Sequence, residues 1–192
     1  MDRLNEINSI ISSCLETDPK ARGAAIREFA QLYSDETGME MALQLKNNGK
    51  EQRARAMEAL AAASPASLPL LISLMEDGDW IVRYRAAEAL GLSGDAGAVE
   101  TLRSHLTDTK DHVRYMAVKS LGLLHGEVAA EEIAERLCTD ENPYVRRMAV
   151  RTLARMAAAD YADLFRCVRQ TEGDATVIAA LDEALEGMGE NV

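Results

Sequence analysis

The sequence predicts an all-α protein in which pairs of short helices repeat along a single domain, residues 1–192. A short pattern recurs about every 31 residues, which gives about six repeats, and in its strong copies an acid is followed six residues later by arginine. The composition favours helices, because Ala, Leu, Met, Glu and Arg dominate it, and an apolar fraction of 47% is too high for a disordered chain. No useful length of chain alternates with the period of two that a strand requires, so no strands are predicted.

Three strong copies of the repeat occupy the middle of the chain. They begin at Asp77, Asp108 and Asp140 and read DGDWIVRYRAAEALGL, DTKDHVRYMAVKSLGL and DENPYVRRMAVRTLAR. Every copy keeps the acid, a Val-Arg pair, an Ala three residues after that Arg and a Leu four residues after the Ala. This agreement predicts that the three segments adopt the same local structure.

Three weaker copies flank the strong ones and begin at Glu16, Asn47 and Glu172. Degenerate copies at the ends are typical of repeat proteins, whose terminal units face solvent on one side. The repeats are therefore predicted at approximately 4–33, 36–63, 66–92, 95–124, 127–157 and 159–188.

Each repeat is predicted to be a helix, a turn and a second helix. In the copy that begins at Asp77, the residues Val82, Ala86, Ala89 and Leu90 are spaced at i, i+4, i+7 and i+8, which forms one apolar stripe on a helix. Another amphipathic segment precedes this helix and is marked by Leu70, Leu71, Leu74 and Met75. The stripe predicts that the second helix of each repeat is buried along one side.

The pattern (D/E)-x5-R-x2-A-x3-L closely resembles HEAT repeats of the short kind found in bilin-lyase-like proteins. The resemblance covers nearly the whole chain, is strong over residues 66–157, and lacks the signatures of ankyrin and tetratricopeptide repeats. It implies a right-handed α-α superhelix (a solenoid) of about six two-helix repeats. It also implies a ladder of acids and arginines that bridges adjacent repeats, made of Asp77, Arg83, Asp108, Arg114, Asp140 and Arg146.

Stacked two-helix repeats put their second helices on the concave wall, so the residues opposite the buried stripe are predicted to form a binding face. Half of the eight aromatic residues lie there, and Trp, Tyr and Arg are enriched at interaction hot spots. The alternative, an ordinary solvated helix surface with some rings packed on neighbouring helices, stays open. The candidate partner-binding residues are Trp80, Tyr84, Arg85, Glu88, His112, Tyr115, Met116, Lys119, Tyr144, Arg147, Met148, Arg151 and Arg155.

The net charge of −11 is unevenly distributed along the chain. Residues 1–79 carry a balance of −5, residues 80–155 are neutral, and residues 156–192 carry −6. An acidic protein is therefore predicted to hold a locally basic, aromatic groove at its centre. The overall negative charge opposes attraction to phosphate, so nucleic acid is not expected as the partner.

No catalytic residue, metal site or cofactor is predicted. Cys14, Cys138 and Cys167 form no CxxC or Cys/His cluster, so three reduced thiols partly buried in helices are expected. No histidine is followed by glutamate, unlike the di-iron centre of HEAT-like deoxyhypusine hydroxylases. The N-terminus does not resemble a signal peptide, and the most apolar segment, 68–75, is too short to span a membrane. A cytoplasmic location is therefore expected.

Two functional hypotheses follow. The first is a non-enzymatic interaction scaffold whose central concave face binds a partner protein or peptide with acidic and apolar groups. The second follows from the family resemblance and is a bilin-lyase-like protein that binds a tetrapyrrole or a similar acidic, planar cofactor. Many unrelated functions share this kind of repeat, so the sequence leaves the second hypothesis open.

Overall fold

The computed structural model describes residues 2–47, 49–124 and 127–189, and within them it contains α-helices and short 3-10 turns but no strand. This confirms the predicted all-α fold class. The described residues form twelve α-helices: α1 Asp2–Cys14, α2 Pro19–Gln31, α3 Asp35–Asn47, α4 Lys50–Ala62, α5 Leu68–Leu74, α6 Trp80–Ser93, α7 Val99–Ser104, α8 Asp111–Leu123, α9 Ala130–Thr139, α10 Pro143–Ala157, α11 Ala162–Thr171 and α12 Ala175–Gly187.

Consecutive helices pair, so that α1–α2, α3–α4, α5–α6, α7–α8, α9–α10 and α11–α12 correspond to the six predicted repeats. The chain divides into two compact units, residues 1–98 and residues 99–192, which hold three helix pairs each. The prediction of one continuous domain stays a prediction. The two units are described separately below.

Aspartates begin several of the second helices. Asp79 accepts a hydrogen bond from the backbone N–H of Ile81 at 2.9 Å at the start of α6, and Asp174 accepts one from Thr176 at 2.8 Å at the start of α12. Such a side chain satisfies an N–H group that has no partner within the helix. Helix α6 ends at Gly94, whose φ of +70° is a left-handed conformation that glycine adopts without steric cost.

The predicted apolar stripe forms the core of each unit. Val82, Ala86 and Leu90 of α6 are fully buried. Their counterparts in residues 99–192 are also fully buried, namely Val113, Ala117 and Leu121 of α8 and Val145, Ala149 and Leu153 of α10. The alanine in the middle of each stripe has a small side chain, which lets neighbouring helices pack closely.

The cysteines differ in exposure from what the sequence suggested. Cys14 is buried, and burial followed by the charge of Glu28 raises the pKa of its thiol to about 11. Cys138 of α9 and Cys167 of α11 are exposed rather than partly buried. No helix in the described part of the chain is both long and apolar enough to cross a membrane.

Candidate functional site

The arginine of each strong repeat holds the two helices of that repeat together. Nη1 of Arg83 donates to the backbone carbonyl of Asp77 at 2.8 Å, and Nη1 of Arg146 donates to that of Asp140 at 2.8 Å. Arg114 makes the same bond to Asp108 at 3.0 Å. Asp140 directly follows α9, Asp108 directly follows the 3-10 turn after α7, and Asp77 lies three residues after α5, so each carbonyl belongs to the turn between the two helices of its repeat. An arginine six residues after the acid can therefore reach back across the turn to the backbone carbonyl of that acid.

In residues 99–192 two further nitrogens of the same arginine, Nε and Nη2, bind a carboxylate of the following repeat. Nε and Nη2 of Arg114 donate to the two carboxylate oxygens of Asp140 at 2.7 and 2.8 Å. Arg146 makes the equivalent pair of bonds to Glu172 at 2.8 and 2.7 Å. Each pair is bidentate and charge-assisted, which is the strong geometry for an arginine and a carboxylate. We call Arg114, Asp140, Arg146 and Glu172 the ladder.

Arg114 and Asp140 of the ladder are buried, and Arg146 and Glu172 are half-buried, so each charge needs its partner. The side chain of Asp140 is 1% exposed. The hydrogen bonds from Arg146 hold the pKa of Glu172 below its usual value, and the hydrogen bonds to Asp140 raise the pKa of Arg114. Glu172 was missing from the predicted ladder residues, although it is the acid that begins the sixth repeat. Aligning the sixth repeat with the fifth could have identified it, because Glu172 stands where Asp140 stands.

The acid of the third repeat has a different kind of partner within residues 1–98. The carboxylate of Asp77 lies 2.6 Å from Nζ of Lys46, at the end of α3. The hydrogen bond from Lys46 lowers the pKa of Asp77. A lysine thus binds this acid through one ammonium group, where Asp140 and Glu172 each receive two bonds from an arginine.

Three residues assigned to the exposed face are buried, and for them the expected exposure was wrong. Arg85 is 9% exposed, Met116 is 1% exposed and Met148 is 8% exposed. They occupy the same position in their repeats, one residue after Tyr84, Tyr115 and Arg147. Second helices pack against one another, α4 on α6 in the first unit and α8, α10 and α12 in order in the second, and this packing covers the position.

The buried charge of Arg85 is neutralised inside its own helix. Nη1 of Arg85 lies 2.6 Å from a carboxylate oxygen of Glu88, and its guanidinium lies 5.3 Å from the centre of the Tyr84 ring. The half-buried Trp80 belongs to the same helix. The face that α6 presents in residues 1–98 therefore carries a paired cation and two half-buried rings.

In residues 99–192 the aromatic residues of the predicted face lie on two helices, α8 and α10. Tyr144 is exposed, and the guanidinium of Arg147 lies 5.3 Å from the centre of its ring. Tyr115 is half-buried and His112 is exposed. Nδ1 of His112 lies 2.8 Å from Asp111, and this contact followed by a hydrogen bond from Asn142 lowers the pKa of Asp111 to about 2.

Helices α8, α10 and α12 line a groove of about 520 Å³. It contains four of the predicted residues, Lys119, Met148, Arg151 and Arg155. The other wall and part of the floor were not predicted from the sequence, and they are formed by Ala154, Ala180, Glu183, Ala184, Gly187 and Met188. We call these ten residues the groove.

Aligning the sixth repeat with the third could have identified the residues of this wall. Ala180, Glu183 and Gly187 stand in the sixth repeat where Arg85, Glu88 and Leu92 stand in the third. Small residues replace two large ones, which leaves space between α10 and α12. The sixth copy is degenerate in sequence, and for that reason its outer face was not considered.

The groove has a cationic side and an apolar floor. Among the described residues no carboxylate lies within ion-pairing distance of Lys119 or Arg155. Nη2 of Arg151 lies 3.9 Å from Glu183, and both side chains are mostly exposed, so this contact contributes little stability. Within the described ranges no group of three His, Cys, Asp or Glu side chains is arranged to hold a metal ion.

Comparison with known proteins identifies the repeat. The family model described as HEAT repeats matches residues 40–121 and 107–186, which confirms the predicted HEAT-like repeats. No curated protein matches the chain significantly.

Several solved structures resemble the chain over nearly its whole length. An engineered protein from a structural genomics consortium is 20% identical, covers 96% of both chains and has a TM-score of 0.58. The complex of CpcE and CpcF of phycocyanin lyase from Nostoc sp. PCC7120 is 18% identical over 95% of this chain and 77% of that chain, with a TM-score of 0.54. A designed armadillo repeat protein in complex with the peptide (KR)4 is 18% identical over 94% and 98%, with a TM-score of 0.53. At these identities the likeness is one of fold, an α-α solenoid of helical repeats.

Proposed function

This chain belongs to the HEAT repeat family, and we propose that it is a non-enzymatic interaction scaffold whose groove binds an acidic, partly apolar segment of a partner protein. The observation that carries the proposal is the groove between α8, α10 and α12, about 520 Å³ in volume, with exposed cations on one side. The aromatic and basic residues of the predicted face, including Trp80 and Tyr84, are proposed as further contacts.

The charge of the groove favours an acidic partner. Arg151 and Arg155 lie one helical turn apart on α10, and Lys119 lies at the corresponding position on α8. An exposed arginine that lacks a close carboxylate can form new charge-assisted bonds without first breaking a buried pair. Negative groups of a partner would therefore gain their interactions at little cost to the fold.

The floor of the groove favours apolar side chains between those acids. Met148 can adjust its shape to different ligands, because its side chain is unbranched and flexible. Ala180 and Ala184 of α12 are small and leave room above the helix. A segment that alternates acidic and apolar residues would match both the cationic side and this floor.

A structural neighbour supports peptide binding on this kind of fold. The designed armadillo repeat protein is in complex with a basic peptide, (KR)4, and has 18% identity to this chain. The groove described here carries cations, so the preferred charge of its ligand is proposed to be the opposite. The likeness to phycocyanin lyase is one of fold, and the hypothesis of a bound tetrapyrrole or similar acidic, planar cofactor stays a prediction. The cytoplasm is the proposed location.

The proposal is tested with two fluorescent octapeptides, one of alternating Glu and Leu and the other (KR)4. Fluorescence anisotropy is expected to report binding of the acidic peptide alone, with an affinity that falls as salt rises. The variant Arg151→Glu/Arg155→Glu should weaken that binding by about tenfold or more, because it reverses the charge along α10. Equal affinity for the two peptides, or an unchanged affinity in the variant, would contradict the proposal.

A second variant tests the groove by filling it. Replacing Gly187 with Leu adds a side chain to the groove, and an added Cβ there meets no atom within 4 Å. Leucine also favours a helix more than glycine does, by about 0.8 kcal/mol, so the melting temperature should not fall. Loss of peptide binding with an unchanged or higher melting temperature supports the groove as the binding site. Full binding in this variant would place the peptide elsewhere.

A further inference from the structure

A second cleft lies between the first helices of the fifth and sixth repeats. It has a volume of about 430 Å³ and is lined by residues of α9 and α11 and by three ladder residues, Asp140, Arg146 and Glu172. Cys138 of α9 and Cys167 of α11 both line it, and both thiols are exposed. Two thiols that are distant in sequence therefore share one solvent-accessible cleft.

The electrostatics of the two cysteines agrees with their closeness. Burial raises the pKa of Cys138, and the next largest cause is the charge of Cys167, which exceeds the effect of Glu135 on the same helix. Like charges raise a pKa in this way only when the groups are close.

We propose that Cys138 and Cys167 form a reversible disulfide that ties the fifth repeat to the sixth when the protein meets a small-molecule disulfide such as oxidised glutathione. Exposed thiols can be reached by such an oxidant, whereas a buried thiol is inert. Cys14, which is buried and has a pKa of about 11, takes no part.

The reaction is thiol–disulfide exchange in two steps. The thiolate of one cysteine attacks a sulfur of oxidised glutathione, so that a protein–glutathione bond forms and one glutathione thiolate leaves. The second cysteine then attacks the protein sulfur of that mixed disulfide and expels the second glutathione. The two protein sulfurs lose two protons and two electrons, and one glutathione disulfide becomes two glutathione thiols. Reduced glutathione in excess reverses the reaction.

The cross-link would stabilise the end of the repeat array. It closes a loop of about 30 residues, which restricts the unfolded chain and raises the melting temperature by about 5 to 10 °C. It also lies beside the bond between Arg146 and Glu172, which already joins the same two repeats. Since α10 and α12 belong to these repeats, the disulfide would tie together the helix pairs that carry one wall each of the groove.

The test compares the full chain after incubation with oxidised or reduced glutathione. Mass spectrometry of a non-reduced digest should find a peptide that contains Cys138 joined to Cys167, and the melting temperature should rise and return to its initial value on reduction. Cys138→Ser and Cys167→Ser should lose the cross-linked peptide and the rise, while Cys14→Ser should keep both. Each of the two exposed positions is replaced by a residue of similar size, so folding is expected to be unaffected.

Three results would overturn the proposal. Glutathione attached to both Cys138 and Cys167 without an internal bond would mean that the sulfurs cannot meet. A disulfide between two molecules would give the same conclusion. A melting temperature that rises equally in Cys138→Ser would assign the stabilisation to something other than this cross-link.

Discussion

The ladder and the groove are both built from arginines of the same second helices, and they differ in whether those arginines have a buried counter-charge. On α10, Arg146 makes a bidentate pair with Glu172, while Arg151 lies 3.9 Å from an exposed carboxylate. Burial explains the difference, because a charge removed from water must be paired, whereas an exposed charge is stabilised by solvent. The ladder arginines therefore stabilise the fold, and the groove arginines are available to a partner.

The largest expected effect comes from breaking the ladder at Asp140. Asp140→Ala leaves Arg114 buried without its carboxylate, and we expect the free energy of unfolding to fall by about 3 to 5 kcal/mol. Denaturant unfolding followed by circular dichroism measures this change. Glu141→Ala is the matched control, because Glu141 lies next to Asp140 and 3.8 Å from Arg114 but its side chain is 88% exposed. A loss of similar size in the control would mean that burial does not decide the strength of these pairs.

The next prediction concerns how the stability that the Arg146–Glu172 pair contributes depends on pH. Arg146 lowers the pKa of Glu172 in the folded state, so the pair contributes stability above the usual pKa of glutamate. That contribution is lost as the pH falls through the lowered folded-state pKa. The difference in unfolding free energy between the wild type and Glu172→Gln should therefore be largest near neutral pH and shrink below about pH 5.

Measurements of denaturant unfolding at several pH values between neutral and about pH 3 test this expectation. Glu183→Gln serves as the control, since Glu183 is an exposed glutamate of the groove. Its difference from the wild type should be small at every pH. A Glu172→Gln difference that stays constant with pH would contradict the assigned role of the Arg146–Glu172 pair.

A smaller effect concerns Arg85, which is buried like Arg114 but lies at the position of Met116 and Met148. Glu88→Gln alone should cost about 1 to 2 kcal/mol, because it leaves the buried guanidinium of Arg85 without its counter-charge. Adding Arg85→Met should restore the stability to within about 1 kcal/mol of the wild type, since methionine fills the same position in the next two repeats. Thermal unfolding of both single variants and the double variant measures the coupling.

Arg151→Ala is the exposed counterpart in this series. It should change the unfolding free energy by less than about 0.5 kcal/mol, because the carboxylate of Glu183, its ion-pair partner within the described ranges, is exposed and 3.9 Å away. A double variant at Arg85 and Glu88 that is much less stable than the wild type would show that the pair has a role beyond neutralising a buried charge.

The fold could be predicted almost completely from the sequence, and the site only in part. The stripe of Val82, Ala86 and Leu90 identified α6 and its buried side, and the same spacing identified the other second helices. Of the candidate face, Lys119, Arg151 and Arg155 line the groove, and their role in binding stays a prediction. It was wrong about the exposure of Arg85, Met116 and Met148, whose position lies at the edge of the stripe.

The sequence by itself determined the helices, their pairing into repeats and the acid–arginine spacing, because each of these depends on residues close together in the chain. Only the tertiary structure decided that Arg146 binds Glu172, that α12 completes the groove, and that Cys138 and Cys167 share a cleft. These contacts join residues of different repeats, about 26 or more positions apart. They depend on how closely neighbouring helices pack and on the sizes of the side chains between them, and a periodic pattern within one helix carries neither quantity.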